Sequence, residues 1–166
     1  MCATRSATSS KSSTEGRRGF THSTTDSKKD STMTNTRLNP PELYESLGFG
    51  FSHAAIQEGG RTLHLAGQVA WDKAGTVVGA GDLAAQTRQA LANLRLVLDA
   101  AGATPADIVR LRTYVVDHTP DKLGVVLPEI GAFYGDAVPA PNTFLGVAAL
   151  ALPDFLIEIE ATAALK

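Results

Sequence analysis

Apolar and polar positions alternate most cleanly near the end of the chain. Phe155, Ile157, Ile159, Ala161 and Ala163 fall on one face of an extended segment. Leu156, Glu158, Glu160 and Thr162 fall on the other. Two carboxylates thus share a strand face, with Cα atoms roughly 6.5–7 Å apart. That arrangement fits a solvated sheet surface. It also fits an acid–base or water-holding site, and spacing alone does not choose between them.

The same periodicities place the remaining elements. Alternation predicts strands at Ser52–Gln57, Thr62–Val69 and Ile108–Val116. In the second, Leu63, Leu65, Gly67 and Val69 oppose Thr62, His64, Ala66 and Gln68. In the third, Val109, Leu111, Thr113 and Val115 oppose Ile108, Arg110, Arg112, Tyr114 and Val116. Glu58-Gly59-Gly60-Arg61 reads as a hairpin turn between the first two strands. A helix is expected over Asp82–Ala101, where Thr87, Ala90, Leu91, Leu94, Val97, Leu98 and Ala101 recur at helical spacing. Asp82 is its N-cap and Gly102 its C′ residue. A second helix lies within Lys122–Tyr134. Gly124, Pro128 and Gly131 weaken it, and Pro128 could be the N1 residue of a helix that starts there. The glycines between Trp71 and Gly81 are read as turns, with at most a short strand at Thr76–Val78. No Walker lysine or spaced glycine fingerprint follows a strand here.

The order is β-β-(β)-α-β-α-β-β, an α+β chain. Two amphipathic helices cover one side of a four- to six-stranded sheet. The other side would carry His64, Gln68, Arg110, Arg112, Glu158 and Glu160 among aliphatic residues. That mixture is too polar for a dry core and too apolar for comfortable exposure, and oligomerisation is one solution.

Composition changes the picture mainly at the N-terminus. Residues 1–36 are dominated by Ser and Thr, and a disordered tail is expected there, with the folded domain over 37–166. Met33 reads as an alternative start; a transit peptide is a weaker reading, since acids interrupt the basic stretch. Residues 1–32 hold six basic residues against three acidic ones, a balance of +3. The whole chain is −2, which leaves −5 for the rest and argues against nucleic acid as the main partner. No apolar run reaches the roughly 18 residues of a membrane span. The only cysteine is Cys2, so the body has neither thiolate cluster nor cysteine nucleophile, and a reducing cytoplasm fits. His22 in the tail is assigned no role. His64 and His118 lack partners at motif spacing, and Trp71 and Phe133 are read as packing residues.

Six short pieces, in order and on matching elements, resemble the Rid family of reactive intermediate deaminases, also called the YjgF family. They are Ala66-Gly67-Gln68-Val69, the helix stretch Gln86–Leu94, and Ala101-Gly102 followed by Asp107-Ile108-Val109. The others are Tyr114–Asp117, Phe133-Tyr134-Gly135, and Gly146-Val147 leading to Ile157-Glu158-Ile159-Glu160-Ala161. The resemblance covers about residues 48–166. It implies a chorismate-mutase-like fold, a homotrimer whose sheets form a central barrel, and ligand clefts between subunits. It further implies hydrolysis of short-lived imines and enamines to a 2-oxo acid and ammonia, with no metal or cofactor.

By the same resemblance, Glu158 matches the glutamate that positions the attacking water. Gly67 matches the ligand-holding glycine, and His53 falls imperfectly near an aromatic that closes the cleft. Asn142 stands where the family has an arginine that grips the substrate carboxylate. Asparagine can donate hydrogen bonds but makes no charged bidentate fork. A charged hydrogen bond is worth about 1.5–3 kcal/mol, so its loss weakens imino-acid binding roughly 10–150-fold unless something compensates. Arg110 or Arg112 could supply the missing charge, although surface arginines on a strand are the commoner case. Glu160 is the more structural of the two glutamates. A non-catalytic ligand-binding module using the same cleft is the alternative reading. RNA cleavage, an activity of some relatives, ranks last because the body is acidic and lacks a basic aromatic strip.

Overall fold

The computed structural model describes residues 34–166. Its core is a mixed four-stranded sheet formed by β3 (Arg61–Gln68), β6 (Ile157–Leu165), β4 (Ile108–Val116) and β5 (Asn142–Val147), in that spatial order. β6 runs antiparallel to both β3 and β4, and β5 runs parallel to β4. Two helices, α1 (Leu83–Ala100) and α2 (Leu123–Tyr134), build the core with one face of this sheet. Leu94, Leu98, Val126 and Ile130 from the helices meet Leu111, Val115, Ile157 and Ile159 from the strands, all fully buried. At about 25 cal/mol per Å² of apolar surface, this layer supplies the main driving force for the fold. The α+β reading with two helices on one sheet face is therefore the observed architecture.

Local signals fix several boundaries. The Asp82 side chain accepts from Ala85 N at 3.0 Å and caps α1. Gly102, with φ +69°, ends that helix in a left-handed turn that an L side chain resists. β6 alternates as expected, with Ile157, Ile159 and Ala161 buried and Glu158, Glu160 and Thr162 half-buried.

Other expectations need correction. A strand, β1 (Thr34–Leu38), begins inside the stretch read as a tail; the rest of that stretch, including Cys2 and His22, lies outside the described residues. β1 pairs with β2 (Ala54–Glu58) as a separate antiparallel ribbon. Gly59 and Gly60 do turn, with φ +72° and +76°, but they join two sheets. The expected hairpin is not formed: β2 pairs with β1 and β3 with β6, and the two strands do not pair with each other. The short strand at Thr76–Val78 reduces to an isolated bridge between Trp71 and Val77.

α2 runs through Pro128 without starting there, since a 3-10 turn at Pro120–Lys122 leads into it earlier. Burial of Val126, Ile130 and Phe133 offsets the lost backbone hydrogen bond. In β4, a register shift between Ile108 and Arg110 turns Ile108 into the core and leaves Val109 half-buried.

Candidate functional site

The sequence-expected site residues separate into two regions. The first is the sheet face turned away from the helices. In β6, Glu158 stands opposite Tyr114 and Glu160 opposite Arg112. Arg112 Nη1 donates to Glu160 Oε1 at 3.0 Å, and the Tyr114 hydroxyl donates to the same oxygen at 3.2 Å. The hydrogen bond to Glu160, then that to Tyr114, raises the Arg112 pKa above its ordinary value. Glu160 is thus committed to a local network. Glu158 has no hydrogen bond or ion pair among the described residues, although its side chain is half-buried. Arg110 and His64 are exposed on this face, both opposite Thr162.

Gly67 reaches the same face by a detour. Strict alternation would put it with Leu63 and Leu65 on the core side. Between Leu65, which pairs with Ala161, and Gln68, which pairs with Ile159, β3 carries one residue more than β6. This bulge turns Gly67 toward Glu158. A Cβ at position 67 would overlap the Glu158 carboxylate, 2.6 Å from its Cδ. Glycine here makes room for the Glu158 side chain and is not called for by backbone conformation, since its φ is not positive. The structure brings Gly67 and Glu158 together.

The second region lies on the helix side. Asn142, the first residue of β5, registers with Leu111 in a parallel pair and so points toward the core layer. Leu111 N donates to Pro141 O at 2.8 Å and fixes this entry. Thr113 Oγ1 donates to Asn142 Oδ1 at 3.3 Å. Asn142 lines a cavity of about 480 Å³ with Thr143 and Phe144 of β5 and Leu123 and Leu127 of α2. Its remaining walls are Tyr44, Phe49 and Phe51 from the loop before β2.

That loop is tied down by specific bonds. Asn39 Oδ1 accepts from Ser46 Oγ at 3.2 Å and from His53 N at 2.9 Å, clamping both ends. The buried Ser52 donates from Oγ to Pro139 O at 2.7 Å and from N to Ala140 O at 3.3 Å, drawing the loop to β5. Glu45 accepts from Leu47 N and Gly48 N and caps the 3-10 turn that carries Phe49. His53 packs edge-on against Tyr44, with centroids 4.8 Å apart, and its Nε2 lies 2.8 Å from Tyr44 O. It braces the cavity wall from behind and is not among the lining residues.

Within one chain, Asn142 and Glu158 therefore project from opposite faces of the sheet. His118 packs on Phe144 at a centroid distance of 5.0 Å, and Trp71 packs edge-on against Phe155 at 5.1 Å. Phe133 lies in the core with the Arg95 guanidinium 5.0 Å above it. The cavity walls from Tyr44, Phe49, Phe51, Leu123 and Leu127 had one legible signal: an aromatic, glycine-punctuated loop with no periodicity of its own. Among the described residues no three His, Cys, Asp or Glu side chains gather as a metal site. No described helix is long and apolar enough to cross a membrane.

A family model described as Endoribonuclease L-PSP matches residues 48–165. A crystal structure of the Rid family protein YyfB from Yersinia pestis, described there as of unknown function, is 62% identical. It has a TM-score of 0.77 and covers 79% of this chain and 98% of its own. A member of the YjgF/YER057c/UK114 family from Mycobacterium tuberculosis is 32% identical with a TM-score of 0.53, covering 80% of this chain and all of its own. A RutC family protein from Pyrococcus horikoshii is 38% identical over 107 residues, 63% of this chain and 79% of that protein.

Proposed function

The chain belongs to the Endoribonuclease L-PSP family, the family also called Rid or YjgF, and from that premise we propose that it hydrolyses the C=N bond of a small imine or enamine tautomer. The observation that carries this reading is the unpaired Glu158 carboxylate held against Gly67 on a half-buried sheet face. A carboxylate without a competing partner is free to orient a water and take its proton as the oxygen adds to the imine carbon. Glu158 passes that proton to the nitrogen to complete the amino alcohol, the hydroxyl proton then follows by the same route, and the C–N bond breaks to release ammonia as the carbonyl forms. Glu160 is unsuited to the task because Arg112 and Tyr114 already occupy it.

Asn142 supplies the substrate-side contact in this reading, with His53 positioning the aromatic wall. Since Asn142 and Glu158 leave the sheet on opposite faces, one cleft that uses both takes them from different copies. A homotrimer of the family type, with small-molecule clefts between subunits, meets that requirement. We place this activity in the cytoplasm, with neither metal nor cofactor taking part.

The test is ammonia release from imines generated in situ, with the mass of the assembly measured alongside. Glu158→Gln is expected to lower turnover about 100- to 1,000-fold with the assembly intact. Unchanged turnover sinks the proposal. The specific observation that favours a non-catalytic ligand-binding module is the neutral Asn142 itself. Ligand binding without ammonia release from any imine would select that reading.

A further inference from the structure

Which substrate the cleft takes follows from the chemistry of the cavity at Asn142, and the inference rests on the hydrolytic reading only for calling the ligand a substrate. The cavity, about 480 Å³, has a volume ordinary for a small-molecule site. Three aromatic rings from the loop and β5 (Phe49, Phe51 and Phe144), together with Leu123 and Leu127 of α2, supply most of the wall. No lining residue carries a formal charge. The lining residues that carry polar groups are Tyr44, Thr143 and Asn142.

Among the described residues, the amide of Asn142 has one hydrogen-bond contact, to Thr113. Its Oδ1 accepts from Thr113, so the group left to meet a ligand is the NH2, a donor with no protein partner among the described residues. A neutral donor surrounded by apolar carbon can satisfy a carbonyl oxygen. It cannot offset the desolvation of a carboxylate, which needs a paired cation. Of the two arginines on the polar face, which a second copy would bring to the cleft together with Glu158, Arg112 is already matched by Glu160 and Arg110 is exposed opposite Thr162.

We propose that the Asn142 cavity binds an uncharged, ring-bearing molecule whose carbonyl or amide oxygen accepts from Asn142 Nδ2, and that the substrate is accordingly an uncharged aromatic or large apolar imine, not a small 2-imino acid. The aromatic walls receive the ring in edge-to-face or offset contact. The amide sets its orientation.

Benzamide and benzoate, which share a ring and differ in charge, serve as the probes on the full chain. Benzamide is expected to bind about ten-fold or more tightly than benzoate. Asn142→Arg is expected to reverse that order. Leu127→Trp, which fills the cavity from α2, is expected to remove benzamide binding. Because that variant could disturb the helix, nuclear Overhauser contacts between the benzamide ring and the Leu123 and Leu127 methyl groups are measured on the unaltered chain. Equal or tighter benzoate binding, no binding of benzamide, or contacts to other residues would overturn the proposal. None of these measurements uses turnover. Loss of the hydrolytic reading, seen as no ammonia release from any imine, is therefore separable from failure of the cavity assignment.

Discussion

The two faces of the sheet solve opposite problems. The face away from the helices gathers ionisable groups: Arg112, Tyr114 and Glu160 bind one another, and Glu158 stands apart beside a glycine. The helix side opens at its edge into a cavity with no charge in its wall, where a single amide is oriented by a buried threonine. On the proposed hydrolytic reading, the first moves a proton and the second selects a shape. The difference teaches that the ionisable groups and the uncharged cavity lie on separate surfaces of one chain, so the proposed chemistry and recognition can be altered one at a time.

The largest effect that would test this separation comes from Gly67→Ala. The added methyl overlaps the flexible end of Glu158, so the carboxylate must swing away while the strand pairing persists. Turnover is expected to fall about 100-fold, as displacement of a reacting group by about 1 Å can cost. Melting temperature and benzamide affinity should hold. A parallel loss of benzamide binding would break the division between the two regions.

A smaller effect, on the other side, is expected from Thr113→Val. It removes the donor that holds Asn142 Oδ1 and lets the amide rotate. Benzamide affinity should fall about five-fold, the worth of one neutral hydrogen bond. The pH dependence of turnover should stay unchanged, and a shifted profile would connect the two surfaces. The smallest effect is expected from Arg112→Met. Its charge is matched by Glu160, so KM for an anionic imine should rise by no more than about two- to three-fold. A rise of 10-fold or more would make Arg112 the substitute for the family arginine and would sharpen the role of the polar face.

Legibility in the sequence followed the range of the interactions. β4 was read with its observed bounds, and α1 to within a residue, because an alternation over most of the strand and an Asp82-to-Gly102 helix frame are local. Glu158 was placed on the polar side of β6 for the same reason. Gly67 was recognised by its family position, yet strict alternation put it on the wrong face. The bulge that turns it exists only in the pairing of β3 with β6, about a hundred residues away along the chain. His53 was expected near the cleft, and it braces the cavity wall where direct lining was anticipated. β1 and its ribbon with β2 were not foreseen, because a polar, threonine-rich strand carries no apolar period to announce it.

By itself, the order of residues determined the α+β class, the amphipathic helix, the alternating final strand and the neutral side chain at position 142. Each is a property of backbone geometry over a few residues or of the residue itself. Only the tertiary structure decided that Glu158 meets Gly67, that Asn142 turns to the opposite face, and that an N-terminal loop closes an uncharged cavity over it. Those outcomes depend on which distant strand completes each ladder and on which loop the buried Ser52 ties to the segment leading into β5, choices made by packing the whole domain at once.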